Sequence, residues 1–279
     1  MKDLIIGCST NYDWSKLKYW INSINQSGFE GDKVLILMNC DKETVLKVIE
    51  ADFKIIAFKQ DENDNLVYSS NMPVHTERFI HIYDYICKTG PYRFVITTDV
   101  KDVVFQKNPV EYLEKHCDLN NLIFSSESIQ YKNEPWGDEN LLQTYGQYVY
   151  DIFKENEIFN VGVLAGQGDA MRDLAINIFT SCTNRPIPIC DQSTFNFMIS
   201  QHPYIDTSKY TRSEDGWACQ LGTTADPSKV EQFRPHLLEA LPTLKDGQIT
   251  TSTGIPYHIV HQYDRVPEWR KIIEERFGD

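Results

Sequence analysis

The segment ITTDVKDVVF, residues 96–105, carries an apolar run into Asp99 and Asp102 and then returns at once to Val103, Val104 and Phe105. A single turn residue is enough to stop a strand, and an ordinary loop gives no reason for apolar character to resume directly after it. Two carboxylates at the mouth of a buried strand are what a hard divalent cation requires, because such ions are held by oxygen donors. The plainer alternative is a solvated strand end.

The elements that must position these carboxylates are legible around them. DLIIGC, KVLILM (33–38), FKIIAF (53–58) and FVITT (94–98) are short, nearly continuous apolar runs, the pattern of strands covered on both faces. Between them, VHTERFIHIYDYICK repeats Phe79, Ile82, Tyr83 and Ile86 at helical spacing, with Thr76 as a cap and Gly90-Pro91 as a stop. Arg78, His81 and Tyr85 share the opposite, polar face of that helix. The alternation of strand and helix to about residue 105 predicts an α/β fold with a Rossmann-like, mostly parallel, doubly wound central sheet flanked by helices. Ligands in such folds lie at the carboxyl ends of the strands, where GCSTNYD and TTDVKD fall.

Past residue 120 the pattern loosens. NLIFSS is followed by the aromatic-rich YKNEPWGDENLLQTYGQYVYDIF, a strand-like IFNVGVLAG (158–166) and a helix at DAMRDLAINIFTSC. A second helix begins at CDQSTFNFMIS, with Asp191 in a capping position and Phe195, Met198 and Ile199 on one face. Residues 203–256 are polar and irregular, with short strands near WACQLG and GQITTS, and YHIVHQYDRVPEWRKIIEERF reads as strand, loop and amphipathic helix.

Composition narrows the function classes. A formal charge of -13 repels phosphate backbones and anionic headgroups, so nucleic acid and membrane surfaces are poor partners. A phosphate-bearing ligand would then need its charge met locally, by a metal or a few placed cations. The seven cysteines are scattered without a C-x-x-C pair and read as reduced core residues of a cytoplasmic protein. No targeting segment or transmembrane span is visible, and oligomeric state is left open.

The acidic strand end, FNVGVLAG, CDQSTFN and HIVHQYDRVPEW, in this order and at this spacing, resemble the metal-dependent GT-A glycosyltransferases, specifically the retaining, glycogenin-like group. The four matches span nearly the whole chain. D-V-K-D stands where that group has D-x-D, and the interval from His261 to Pro267 and Trp269 is slightly longer. The resemblance implies one GT-A domain over residues 1–279, with a nucleotide-binding half (1–107) and an acceptor-binding half (108–279) that carries the late metal-ligand segment. It implies transfer of a sugar from a nucleotide-sugar donor, expected to be UDP-linked, to a glycan or other hydroxyl acceptor, with a DxD-type site. Asp99, Asp102 and His261 would hold Mn²⁺ or Mg²⁺, with Mn²⁺ favoured once nitrogen joins the oxygen donors.

The same resemblance assigns Asn160, Asp191 and Gln192 to the sugar and its reaction centre, Gly162 to its lining, and Arg78 to a diphosphate or sugar contact. Gly7, Cys8 and Tyr12 of the first loop would hold nucleobase and ribose, Tyr12 by stacking. Tyr131 and Trp136 offer flat faces for an acceptor sugar, and Glu127 or Asp191 itself is the reserve base should the reaction invert configuration. Each residue has a plainer role: His261 as a core histidine next to apolar Ile259 and Val260, Asn160 and Gly162 as a tight spot, Asp191 as a helix cap, Tyr263 and Trp269 as packing, Arg78 as a solvated side chain. His258 is a rival ligand that strand alternation turns to the opposite face from His261. A sugar-nucleotide pyrophosphorylase is disfavoured, because GCSTNYDWSK has one glycine and no arginine. A non-catalytic carbohydrate-binding protein of the same fold is disfavoured by the retained acidic pair.

Overall fold

In the computed structural model, residues 1–58, 72–117 and 122–278 are described. The strands are β1 (Lys2–Thr10), β2 (Asp32–Met38), β3 (Lys54–Phe58), β4 (Tyr92–Thr98), β5 (Val103–Phe105), β6 (Leu122–Gln130), β7 (Glu157–Gln167), β8 (Ser208–Thr211), β9 (Ala218–Cys219), β10 (Thr243–Lys245), β11 (Gln248–Thr250) and β12 (Ile259–His261). The helices are α1 (Trp14–Gln26), α2 (Lys42–Glu50), α3 (Val74–Thr89), α4 (Val110–His116), α5 (Pro135–Phe153), α6 (Gly168–Cys182), α7 (Asp191–Ile199), α8 (Val230–Phe233) and α9 (Pro267–Phe277).

Seven strands form one sheet in the order β3-β2-β1-β4-β7-β6-β8. The first four are mutually parallel, β7 runs antiparallel to both its neighbours, and β6 pairs parallel with β8. Neighbouring side chains of a strand point to opposite faces, and here both faces are covered. Ile5, Leu35, Leu37 and Ile96 pack under Leu17, Trp20, Ile21 and Ile24 of α1 and Val48 of α2. Leu4, Ile6, Val34, Ile36 and Val95 pack under Phe79, Ile82 and Ile86 of α3 and Met171, Leu174 and Ile178 of α6. With apolar layers on both sides, β1, β2 and β4 are buried at consecutive positions and read as nearly unbroken apolar runs, whereas β3, expected to be covered on both faces, is an edge strand that leaves Lys54 and Ala57 exposed.

Three local expectations are corrected. Helix α3 begins at Val74 with Pro73 at the N-cap position, so Thr76 lies buried within the first turn and caps nothing. His81, on the face marked polar, is buried, with Nε2 3.0 Å from Glu77 Oε1 and its ring 4.3 Å from that of Phe58. None of the seven cysteines forms a disulfide, but Cys87 is exposed and Cys8 and Cys40 are half-buried, leaving four in the core.

A second sheet of three strands, in the order β5-β12-β9, stands beside the first. Strand β4 ends at Thr98 in the large sheet and β5 begins at Val103 in the small one. Asp99 to Asp102 is therefore the crossing between two sheets, which explains why apolar character resumes so abruptly. Tyr263, Trp269, Ile273 and Phe277 pack with Val260 and Val104 behind the small sheet, so Tyr263 and Trp269 serve as packing. No described helix is long and apolar enough to cross a membrane.

Candidate metal centre

Backbone pairing fixes both carboxylates. Asp99 N donates to Gly162 O at 2.8 Å, one step beyond the Thr98–Val163 pair of β4 and β7. Gln262 N donates to Asp102 O at 2.7 Å, one step beyond the Val103–His261 pair of β5 and β12. The ends of two sheets thus converge, and ligand atoms of Asp99, Asp102 and His261 all lie within 4.8 Å of one another. His261 Nε2 is 3.6 Å from Asp99 Oδ2 and 3.7 Å from Asp102 Oδ1.

Gly162 makes this approach sterically possible. A Cβ there would stand 2.6 Å from His261 Cε1 and 2.8 Å from both Asp99 Oδ2 and Asn160 Oδ1. Any side chain would fill the cradle in which the three donors meet. Two carboxylates and one imidazole around such a cradle fit a divalent ion with oxygen preference and tolerance for one nitrogen, Mn²⁺ above Mg²⁺. His258 is turned away: its Nδ1 is 2.8 Å from Asn108 O, its ring packs with Tyr112 and Trp217, and burial pushes it down to about 4.

Arg78 is not a solvated helix residue. Its Nη1 pairs with Asp99 Oδ1 and its Nη2 lies 3.1 Å from Asp191 Oδ2, so one guanidinium ties the acidic crossing to α7. Asp99 thereby divides its oxygens, Oδ1 to Arg78 and Oδ2 toward His261. Burial pushes the Asp99 carboxyl up, but Arg78 and His261 outweigh it and hold the group below its ordinary value. Burial raises Asp102, with His261 opposing and the Asp99 charge adding. Asp191 is the first residue of α7, after an N-cap position at Cys190 whose side chain makes no cap bond. Its carboxylate goes to Arg78, and burial pushes it up against that partner.

Asn160 and Gln192 meet on a fourth carboxyl, that of Glu127. Asn160 Nδ2 and Gln192 Nε2 both donate to Glu127 Oε1, at 2.7 and 3.1 Å, while Asn160 Oδ1 accepts from Gly162 N at 2.6 Å. Glu127 stands where the β6–β7 register shifts, followed by Ser128 at φ 55°, a break in the ladder that re-aims a side chain. Burial, then the nearby Glu134, push Glu127 up to about 7, against the two amide donors.

These groups line two adjoining cavities. The larger, about 420 Å³, is lined by the three donors together with Glu127, Asn160, Gly162, Asp191 and Gln192. The smaller, about 220 Å³, shares His75, Arg78, Asp99, Asp102 and Arg265 with it and extends to Cys8, Thr10 and Tyr12. Burial pushes the Cys8 thiol up to about 12, so it contributes no thiolate. Gly7 does not reach either cavity: it is buried in the sheet between Leu35 and Thr98, and its missing side chain makes room for Val100 and Trp20. Tyr131 offers no stacking face, being fully buried with Leu141, Phe153 and Ile158, whereas Trp136 is 52% exposed at the mouth of the larger cavity.

Other lining residues carry weaker sequence signals. Glu134 caps α5 through Gly137 N at 2.6 Å, a helix start that Glu134-Pro135 announces. Arg265, within HIVHQYDRVPEW, lies 3.8 Å from Asp102 Oδ2 and borders both cavities. Thr223 and Thr224 come from the polar stretch that no periodicity organises. No protein-family model matches this sequence, and no curated protein matches it either.

Proposed function

We propose that this chain is a metal-dependent GT-A glycosyltransferase that moves a sugar from a nucleotide-sugar donor, UDP-linked, to a hydroxyl acceptor with retention of configuration. The observation that carries the proposal is the convergence of Asp99, Asp102 and His261 over the bare Cα of Gly162, at the junction of two cavities. A divalent ion held by these three residues supplies charge neutralisation for a departing diphosphate without proton transfer.

The chain's own groups do the rest. Tyr12 in the smaller cavity stacks on the base, and Arg265, partly exposed and bordering both cavities, meets phosphate charge that an acidic surface otherwise repels. Asn160, Asp191 and Gln192 face the sugar in the larger cavity, their orientations set by Glu127 and Arg78. In retaining transfer the departing oxygen can take the acceptor's proton, so these residues act by positioning and charge stabilisation, with no dedicated base. Trp136 at the mouth gives an acceptor sugar a flat face.

The test is hydrolysis of a panel of UDP-sugars with Mn²⁺. The expected products are free sugar and UDP without pyrophosphate, and EDTA abolishes the reaction. Turnover unchanged in EDTA-treated, metal-free buffer removes the metal role of Asp99 and Asp102. Conversion of UDP-sugar and added pyrophosphate to UTP and sugar 1-phosphate, without free sugar, replaces the transferase with a pyrophosphorylase.

A further inference from the structure

Strand β12 has a neighbour on each side, and each brings a side chain to His261. On one side β5 sets Val103 opposite His261, so Asp102 adjoins the imidazole. On the other, β9 runs parallel in the register Ile259↔Ala218 and Val260↔Cys219, so the next step along sets Gln220 beside His261. Gln220 is 2% exposed, and its Oε1 lies 2.7 Å from His261 Nδ1. In this amide orientation the oxygen faces the ring and can only accept, so the contact requires the ring proton on Nδ1. The lone pair is then left on Nε2, the atom that faces Asp99 Oδ2 and Asp102 Oδ1. The opposite amide orientation would move the proton to Nε2, which would donate to those carboxylates and have nothing left for a cation.

The environment of Gln220 argues against a packing role. Its Nε2 is buried without a hydrogen-bond partner among the described residues. An unpaired buried donor costs on the order of 1–3 kcal/mol, and an apolar side chain of similar length would avoid that cost. The amide is kept where its one satisfied contact is to the distal nitrogen of a candidate metal ligand.

We infer that Gln220 is a positioning residue that holds His261 in the Nδ1–H tautomer and so presents Nε2 to the cation. The inference rests on the metal centre proposed above. Partners of this kind orient metal-bound imidazoles and raise their basicity, and losing one weakens metal affinity about 10- to 100-fold.

The test uses the full chain: Mn²⁺ titrations followed by electron paramagnetic resonance for wild type, Gln220→Leu and Gln220→Glu, with ¹⁵N-histidine NMR of the metal-free proteins. Wild type should show His261 protonated at Nδ1 and bare at Nε2. Gln220→Leu should lose that single tautomer and bind Mn²⁺ about 10- to 100-fold more weakly, whereas Gln220→Glu, which keeps an acceptor in place, should bind as tightly as wild type or more so. A folded Gln220→Leu that binds Mn²⁺ like wild type overturns the role of Gln220 and leaves the metal centre standing. A wild type that binds no Mn²⁺ overturns the metal centre and this role with it. Should Gln220→Leu fail to fold, Nε2 protonation in metal-free wild type, or weaker binding by Gln220→Glu, still overturns the inference.

Discussion

Replacing Glu127 with glutamine removes one buried charge while keeping an oxygen for the Asn160 and Gln192 amides to bond. Burial and Glu134 raise this carboxyl from its ordinary 4.5 to about 7. Between those values the unfolded chain has released the proton and the folded chain still holds it, so stability falls as pH rises. Each pH unit in that window costs about 1.4 kcal/mol, and by pH 7 the folded state has lost about 3 kcal/mol relative to pH 4.5. The glutamine variant escapes this loss. It should match wild type near pH 5 and exceed it by about 3 kcal/mol at pH 8, roughly 6 °C in Tm for a chain of this size. Thermal melts of both proteins in EDTA from pH 5 to 8 give the difference curve, which cancels every titrating group the two share. A difference that stays flat across that range means Glu127 ionises as an ordinary carboxylate, and the cluster of amides around it has some other origin.

Three further outcomes follow from the same geometry. Gly162→Ala drives a methyl group against His261, Asp99 and Asn160; it should destabilise by about 1–3 kcal/mol and abolish the rise in Tm on adding Mn²⁺, and a retained Mn²⁺ response contradicts the cradle. Arg78→Ala strips the partner from buried Asp191 and from Asp99, and urea denaturation should register a loss of about 3–5 kcal/mol at pH 8. That loss should shrink as pH falls, because burial pushes the Asp191 carboxyl up and the substitution removes the Arg78 charge that opposes it; a pH-independent loss points to packing instead. Asp191→Asn should cut turnover strongly with donor affinity nearly unchanged, and proton NMR of the first-formed product should show the donor's anomeric configuration; the opposite configuration ends the retaining assignment and returns attention to Glu127.

The central sheet was legible because burial on both faces leaves a plain trace: β1, β2 and β4 are apolar at consecutive positions, and few other structures demand that. Direction leaves no such trace. IFNVGVLAG reads as a strand, yet nothing in its composition says that β7 runs against both neighbours. The acidic crossing was visible as a local oddity, because Asp99 and Asp102 interrupt apolar residues that belong to two different sheets. What periodicity could not supply were contacts between distant segments. Arg78 looks solvated on a helical wheel, and its burial comes from Asp191 on another helix. Tyr131 and Trp136 are alike in the sequence, but only one meets an apolar cluster. Gln220 lies in a stretch of Gly, Thr and Pro where no pattern singles out one amide.

The cradle at Gly162 has a consequence for the order of events in folding. Its walls come from residues 99 and 102, then 160 to 162, and finally 261, so more than half the chain lies between its first and last donors. Contacts this remote in sequence require large loops to close before they return any stabilisation, and they form late and slowly. During synthesis the two carboxylates therefore emerge and wait, without their imidazole, until β12 slots between β5 and β9. On the proposed metal centre, the onset of Mn²⁺ binding in a refolding experiment would be a clock for that final docking, distinct from the earlier optical signals of the central sheet.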